Sequence, residues 1–275
     1  MTTPNRSALL VVPACALLLV CFAYPVFWLL LRAFSDPAWG LQNFWALWER
    51  PVYLKVLWNT VVISATVTAL AALIGYPLAY TMANGSERVR RLLVFVVLIP
   101  FWTSILVRTF AWMVLLQREG LINDILVGIG LVAEPVALIY NRTGVLIGMT
   151  QVLLPFMVFP LYSVMVRIDT GLTSAAATLG APPVRNFLRV YLPLSMPGLM
   201  TGASLVFIIS LGYFITPALL GGTGDMMVAQ MIERQIGRFG NWGIAGALAV
   251  LLVIVTAVCL GLARRLAGPA AVWAR

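Results

Sequence analysis

Histidine is absent from all 275 residues. That removes the usual general base and the commonest metal ligand, so zinc sites and histidine-based triads are excluded. Charge is scarce as well. Asp, Glu, Lys and Arg together make up 10% of the chain, where a soluble domain carries about 25%. Cysteine occurs three times, as Cys15, Cys21 and Cys259. Each lies in an apolar run without a C-x-x-C partner, and reads as a small hydrophobe. No block of five or more Lys/Arg and no aromatic-interleaved basic patch accompanies the net charge of +9, so nucleic acid is not an expected partner. Gly221-Gly222-Thr223-Gly224 lacks the lysine and the spacing of a phosphate loop and reads as a turn. The chain therefore has no catalytic constellation, no metal site and no cofactor site. It is not expected to be an enzyme.

What it does have is hydrophobicity, 62% of residues. Crossing a bilayer takes roughly 20 apolar residues, about 30 Å at about 1.5 Å each. The first candidate runs from Ser7 to Leu31, too long for a cleaved signal segment. The others are Val56–Ala83, Leu92–Gln117, Thr143–Val166, Gly198–Leu220 and Asn241–Ala263. Gly75 and Pro77 are expected to kink the second span. Trp39, Trp45 and Trp48 sit in the first loop, where tryptophan suits the membrane–water boundary, and the WALWE stretch reads as a short interfacial helix. Ile125–Val132 is apolar but too short to cross. The expectation is an all-α integral membrane protein with about six spans, residues 1–275 forming one transmembrane domain.

Six spans put both termini on one side. That side carries Arg6, Arg88, Arg90, Arg91, Arg167, Arg185, Arg189, Arg264, Arg265 and Arg275, with Glu87 and Asp169 as its acids. The opposite loops carry Arg50, Lys55, Arg118, Arg142, Arg234 and Arg238, with the other seven acids. Arg32 and Arg108 fall within spans. The bias places both termini in the cytoplasm.

Asp169–Gly198 is then the longest cytoplasmic connection. Leu172, Ala175, Ala176 and Leu179 recur at one helix face. Asp169 or Thr170 can cap this helix and Gly180 can end it. Pro182-Pro183 opens a second segment, in which Val184, Phe187, Leu188 and Tyr191 repeat the spacing and Arg185, Asn186 and Arg189 take the other side. Leu192-Pro193 is expected to break it before the fifth span. Helices this short are marginal alone. They must lie on headgroups, on their own spans, or in a partner's groove.

The same stretch reads A-A-x-x-L-G-A from Ala175 to Ala181 and ends F-x-x-V-x-L-P-L-x-x-P-G at Gly198. It resembles the EAA loop of ABC-importer permeases. Pro100–Ser104, Val107–Trp112 and Phe214–Gly222 are similar to the polyamine branch of those permeases, the spermidine/putrescine systems. The resemblance covers most of the chain. It implies the type I importer permease fold and a place in the bacterial inner membrane. It also implies partners: cytoplasmic ATP-binding subunits that hydrolyse ATP, a second permease subunit and an external solute-binding protein. Residues 169–198 would be the coupling loop. Leu172, Ser174, Ala175, Ala176, Leu179, Gly180, Ala181, Arg185, Phe187 and Arg189 would meet the ATPase. Ser174 stands where the family has its name-giving glutamate, so the contact here rests on shape, apolar packing and arginine.

Arg108 is the one charge deep in a predicted span. It can meet solute in a water-filled path, snorkel, or lock the structure through a carbonyl. Asn59, Gln151, Tyr213 and Thr216 are polar residues in or beside spans, where bonds between helices are the ordinary role. Tyr213–Pro217 is the best path candidate, because Pro217 frees a carbonyl and Gly212 loosens packing. Trp102, Trp112 and Tyr213 offer faces for an organic cation. Arg108, Trp112, Tyr213, Thr216 and Pro217 are thus the candidate solute residues. Polyamine import by alternating access leads. Import of an opine, an amino-acid derivative or an anion is the alternative within transport, and a stand-alone carrier or channel is the alternative outside it.

Overall fold

The computed structural model describes residues 6–267, with side chains described for residues 12–262. The side chains of Arg6, Arg264, Arg265 and Arg275, all counted in the charge bias, lie outside the described residues. The described elements are helices. In chain order they are α1 (Arg6–Leu18), α2 (Tyr24–Ser35), α3 (Gln42–Glu49), α4 (Pro51–Asn84) and α5 (Glu87–Trp102). Then come α6 (Ile105–Leu115), α7 (Leu121–Gly128), α8 (Arg142–Met165), α9 (Thr170–Thr178) and α10 (Pro183–Asn186). Last are α11 (Leu192–Leu211), α12 (Ile215–Leu220), α13 (Val228–Gly237) and α14 (Trp242–Ala267).

Five stretches are long and apolar enough to cross a membrane, and a bent pair makes six. The agreement with the expected spans is in number and approximate place, and three boundaries differ in kind. The third span is not one helix. It is α5 and α6, broken at Thr103-Ser104 with a bend of 103°. The expected fifth span starts too late and ends too late. Helix runs from Pro183 to Leu211, so the second cytoplasmic segment is the first part of that span rather than a separate short helix. Leu192-Pro193 does not break it, because Phe187–Tyr191 forms a single π-helical turn. A proline ring clashes with the carbonyl four residues earlier. For Pro193 that is Arg189, inside the wider turn. The first span uses the same device, with a π turn at Leu19–Ala23 just before Pro25. At the far end, Gly212–Phe214 separates α11 from the short α12. The WALWE stretch is helical, within α3.

The chain divides into two compact units. The first comprises residues up to Leu57 and Val228–Val255. Within it α14 lies close on α2: a Cβ at Gly246 would fall 2.7 Å from the Ala33 backbone nitrogen. Trp28 and Trp242 meet edge-to-face at 5.8 Å, and the Arg32 guanidinium lies 4.1 Å above Trp28 while reaching Asp36 at 3.3 Å. Asn43 donates to the carbonyls of Ala33 and Asp36, which ties α3 to the end of α2.

The second unit, Trp58–Met227 with Thr256 onward, is built around α8. Val145, Met149, Leu153, Met157, Val158, Leu161 and Met165 of α8 are all buried, recurring three and four residues apart. Against them pack Ile63, Val67 and Ala71 of α4 and Val206 of α11. The approach of α11 is set by Gly198 and Gly202, one turn apart on one face. A Cβ on Gly202 would lie 2.9 Å from the Met157 carbonyl oxygen, and one on Gly198 would lie 3.0 Å from that of Pro160. Small residues four apart let membrane helices pack backbone to backbone.

Candidate functional site

Two groups of residues carry the expected functions, and both lie in the second unit. The first is the segment 169–198. Asp169 caps α9, its Oδ1 accepting from the Gly171 N–H at 2.8 Å. Gly180 ends the helix with φ +81°, a left-handed conformation that costs other residues about 1–2 kcal/mol. Both ends were thus legible, because caps are local chemistry. The apolar face is helical as expected, but among the described residues nothing buries it. No residue of α9 is buried; Leu172 is 49% exposed and Leu179 88%. Ser174, Ala175 and Gly180 are exposed, while Ala176 and Ala181 are half-buried. The Ser174 hydroxyl bonds back to the Thr170 carbonyl at 3.0 Å. Arg185 and Arg189 are exposed and Phe187 is half-buried.

The segment is anchored by contacts with Tyr76, Tyr80 and Asn84, which the sequence did not connect to it. Tyr191 is buried, and its hydroxyl accepts from the Asn84 amide at 2.9 Å. Tyr76 bonds Ser195 at 2.7 Å. Rings of Tyr76, Tyr80, Phe187 and Tyr191 stack or meet edge-to-face with centroids 5.0–6.0 Å apart, inside the range for favourable aromatic pairs. Asn186 of α10 donates to the Thr173 carbonyl of α9 at 2.8 Å. These hydroxyls and rings tie α10 and the π turn that follows it to α4 and α11, and Asn186 ties α9 to them. The pairing spans over a hundred residues of sequence, and no local pattern announces it. A cavity of about 200 Å³ lies among Tyr80, Asn84, Thr173, Asn186 and Tyr191.

The second group lies at the α5–α6 break. Arg108 is three residues into α6 and directs one guanidinium nitrogen to the Thr103 carbonyl at 3.0 Å. It thus clasps the end of α5 across the bend and is not in mid-helix. Its Nε is buried and has no hydrogen-bond partner among the described residues. Short α12 packs on α6 and α8. This brings Tyr213, at the α11–α12 break, within electrostatic reach of Arg108 and beside Thr216. The Tyr213 hydroxyl and the Thr216 Oγ1 are buried without a geometrically sound partner. Thr216 and Pro217 are buried; a Cβ at Gly148 of α8 would touch the Thr216 methyl at 2.7 Å. Trp112 of α6 donates to Gln151 of α8 at 3.4 Å. The structure thus brings Tyr213 near Arg108 and Thr216, with Pro217 following on α12, while Trp112 is tied to α8 through Gln151. Trp102, 89% exposed, does not join this group. Asn59 serves elsewhere, donating to the Gly224 carbonyl and accepting from Arg142, which also pairs with Asp225 at 3.1 Å.

A separate, apolar cavity of about 520 Å³ lies between α4, α11 and the end of α14. Its Thr68 and Ser204 hydroxyls are spent on their own helices, so it offers a solute no polar group. Among the described residues no group of three or more Cys, Asp or Glu could hold a metal.

Apolar helices long enough to cross a membrane, five of them and a bent pair, define a class: all-helical, multi-pass membrane proteins. The particular family follows from comparison with known proteins. Residues 71–271 match the binding-protein-dependent transport system inner membrane component family, and the chain belongs to it. It is 36% identical to the spermidine/putrescine transport system permease protein PotB of Haemophilus influenzae, over 80% of this chain and 77% of that one. It is 32% identical to PotB of Escherichia coli, over 83% of this chain and 82% of that one. In fold it is similar to a bacterial ABC transporter for alginate, solved with a pentasaccharide-bound periplasmic protein. That likeness has a TM-score of 0.74 at 20% identity, covering 97% of this chain and 95% of that one. The chain is accordingly a transport permease, not an enzyme, and a multi-pass component of the inner membrane that works with a solute-binding protein.

Proposed function

We propose that the chain is the permease subunit of an ATP-driven importer of polyamines such as spermidine and putrescine, with both termini in the cytoplasm. The observation that carries this is the 36% identity to a spermidine/putrescine permease over 80% of the chain. Residues 1–275 act as one permease domain and 169–198 as its coupling loop. The exposed face of α9, with Leu172, Ala175, Ala176, Leu179, Gly180 and Ala181, seats in a groove of a cytoplasmic ATP-binding subunit. Ser174 lies in that contact without a charge, and Arg185, Phe187 and Arg189 extend it. ATP hydrolysis occurs in that partner. Its closure moves α9, and the Asn84–Tyr191 and Tyr76–Ser195 bonds pass the movement to α4 and α11. The two states differ in their contacts with the ATPase, which is what an equilibrium shift requires. A second permease subunit completes the pathway, and a periplasmic binding protein delivers solute to it. Arg108, Trp112, Tyr213, Thr216 and Pro217 border the path.

The test is ATP-dependent uptake of labelled spermidine into vesicles holding the chain, its second permease subunit and ATPase, with the binding protein added. Uptake that needs every component supports the reading. Uptake without the ATPase would make the chain part of a secondary carrier or channel. A second solute class is favoured by one observation, the unpartnered Nε of Arg108, a cationic donor suited to an anion or a carboxylate. Competition by an anion and not by putrescine would select it.

A further inference from the structure

Three arginines, Arg88, Arg90 and Arg91, occupy the first two turns of α5. A helix N-terminus is the positive end of the peptide dipole and favours acids, so helix stability does not explain them. Glu87 answers Arg91, with which it forms an ion pair. Arg90 is half-buried, and its guanidinium, unlike its backbone N–H, which bonds the Ser86 carbonyl, makes no hydrogen bond or ion pair among the described residues. It lies at the mouth of a groove of about 320 Å³ lined by Arg90, Arg91, Val94, Phe95, Leu98 and Tyr162. Beyond the two guanidinium groups and the Tyr162 ring with its hydroxyl, the walls are aliphatic or phenyl. From Arg90 to Leu98 the groove runs about 12 Å along α5 at about 1.5 Å per residue, inward from the polar end of the span.

We propose that this groove binds an anionic phospholipid, with the headgroup phosphate between Arg90 and Arg91 and the upper part of one acyl chain along Val94, Phe95, Leu98 and Tyr162. One feature calls for a negative group there, the half-buried Arg90 guanidinium, which has no partner among the described residues and stands beside Arg91 in the groove lining. The groove below requires an apolar tail attached to it. Free phosphate meets only the first requirement and a neutral lipid only the second. Basic pockets between spans at the membrane surface are recognised sites for such headgroups. The proposal needs the membrane placement of α5 but not the side on which its start lies.

Native mass spectrometry of the full-length chain in detergent, with equimolar phosphatidylglycerol and phosphatidylcholine, tests it. The wild type is expected to retain phosphatidylglycerol preferentially. Arg90→Gln should lower that retention about fivefold, the loss expected for one basic contact at a membrane surface. Arg90→Lys should restore much of it, and Leu98→Trp should reduce it by filling the groove. Each variant is first checked for an unchanged melting temperature in detergent without lipid, so that misfolding is not read as lost binding. Equal retention of the two lipids by the wild type would overturn the proposal, as would equal phosphatidylglycerol retention by wild type and Arg90→Gln. So would a photo-crosslinker at Val94 that, in cells, captures a protein in place of lipid.

Discussion

Replacing Gly202 is the sharpest probe of how this bundle holds together. A methyl group there would sit 2.9 Å from the Met157 carbonyl oxygen and 3.2 Å from the Met157 Cα. Carbon–oxygen contacts settle at about 3.3–3.6 Å. The Met157 side chain can swing aside, but its backbone cannot, so α8 and α11 must part by roughly 0.5 Å. Overpacking of this kind costs about 1–3 kcal/mol. Alanine recovers up to about 1 kcal/mol of helix propensity relative to glycine, so the net loss for Gly202→Ala is about 0–2 kcal/mol, and larger for Gly202→Val. The control is Gly261→Ala within α14, where a Cβ meets nothing within 4 Å; it carries the propensity gain without the clash. At about 2–4 °C per kcal/mol, Gly202→Ala should melt several degrees below this control in detergent, and Gly202→Val lower still. Gly198→Ala presses on the same helix from the same face, so one separation relieves both. The double alanine variant should therefore cost less than the sum of its parts. If Gly202→Ala and Gly261→Ala melt together, the glycines do not set the spacing of α8 and α11 and the packing account is wrong.

Three further outcomes are expected. Gly180→Glu has room for its side chain, since a Cβ there meets nothing within 4 Å, but strains a φ of +81° by about 1–2 kcal/mol; it should abolish co-purification of the ATPase and uptake, while Gly180→Ala, which carries the same strain without the charge and bulk, should lose less, and unchanged co-purification of Gly180→Glu would sink the docking role of α9. Tyr213→Phe removes a buried hydroxyl without a partner, so melting is unchanged or raised, because an orphan polar group costs about 1–3 kcal/mol, while the half-saturation concentration for uptake rises severalfold. An unchanged half-saturation would place the hydroxyl away from solute. Tyr191→Phe loses the bond from Asn84, worth about 0.5–1.5 kcal/mol; ATP hydrolysis by the assembled transporter should persist while uptake per ATP falls, and proportional loss of both would show that the bond does not carry coupling.

Much of this molecule was legible in local chemistry. The number and rough position of the spans follow from unbroken apolar runs, since lipid offers backbone groups no partner and a helix must satisfy them internally. The ends of α9 follow from Asp169 and Gly180, whose roles depend only on neighbouring residues. The family likeness followed from motifs. Two of the differing boundaries each have their own reason. A proline was read as a break at Leu192-Pro193, where a π turn absorbs it, and apolar composition was read as one helix from Leu92 to Gln117, where the backbone turns by 103°. Composition does not distinguish a straight apolar helix from a bent pair, because both bury the same side chains in the same lipid.

The amino-acid sequence by itself therefore determined that this is an all-helical membrane protein with about six spans and a short amphipathic helix between Asp169 and Gly180; that no described part of the chain buries that helix came from the structure. Only the tertiary structure decided which polar residues meet. Arg108 proved to be a clasp on the Thr103 carbonyl, Tyr213 and Thr216 came to stand beside it, and Tyr191 found Asn84 across 107 residues. The reason is physical. Hydrophobicity and capping act along the chain within a turn or two. Hydrogen bonds between spans depend on how closely helices approach and at what rotation, and here Gly198, Gly202 and the side chains of α8 set both.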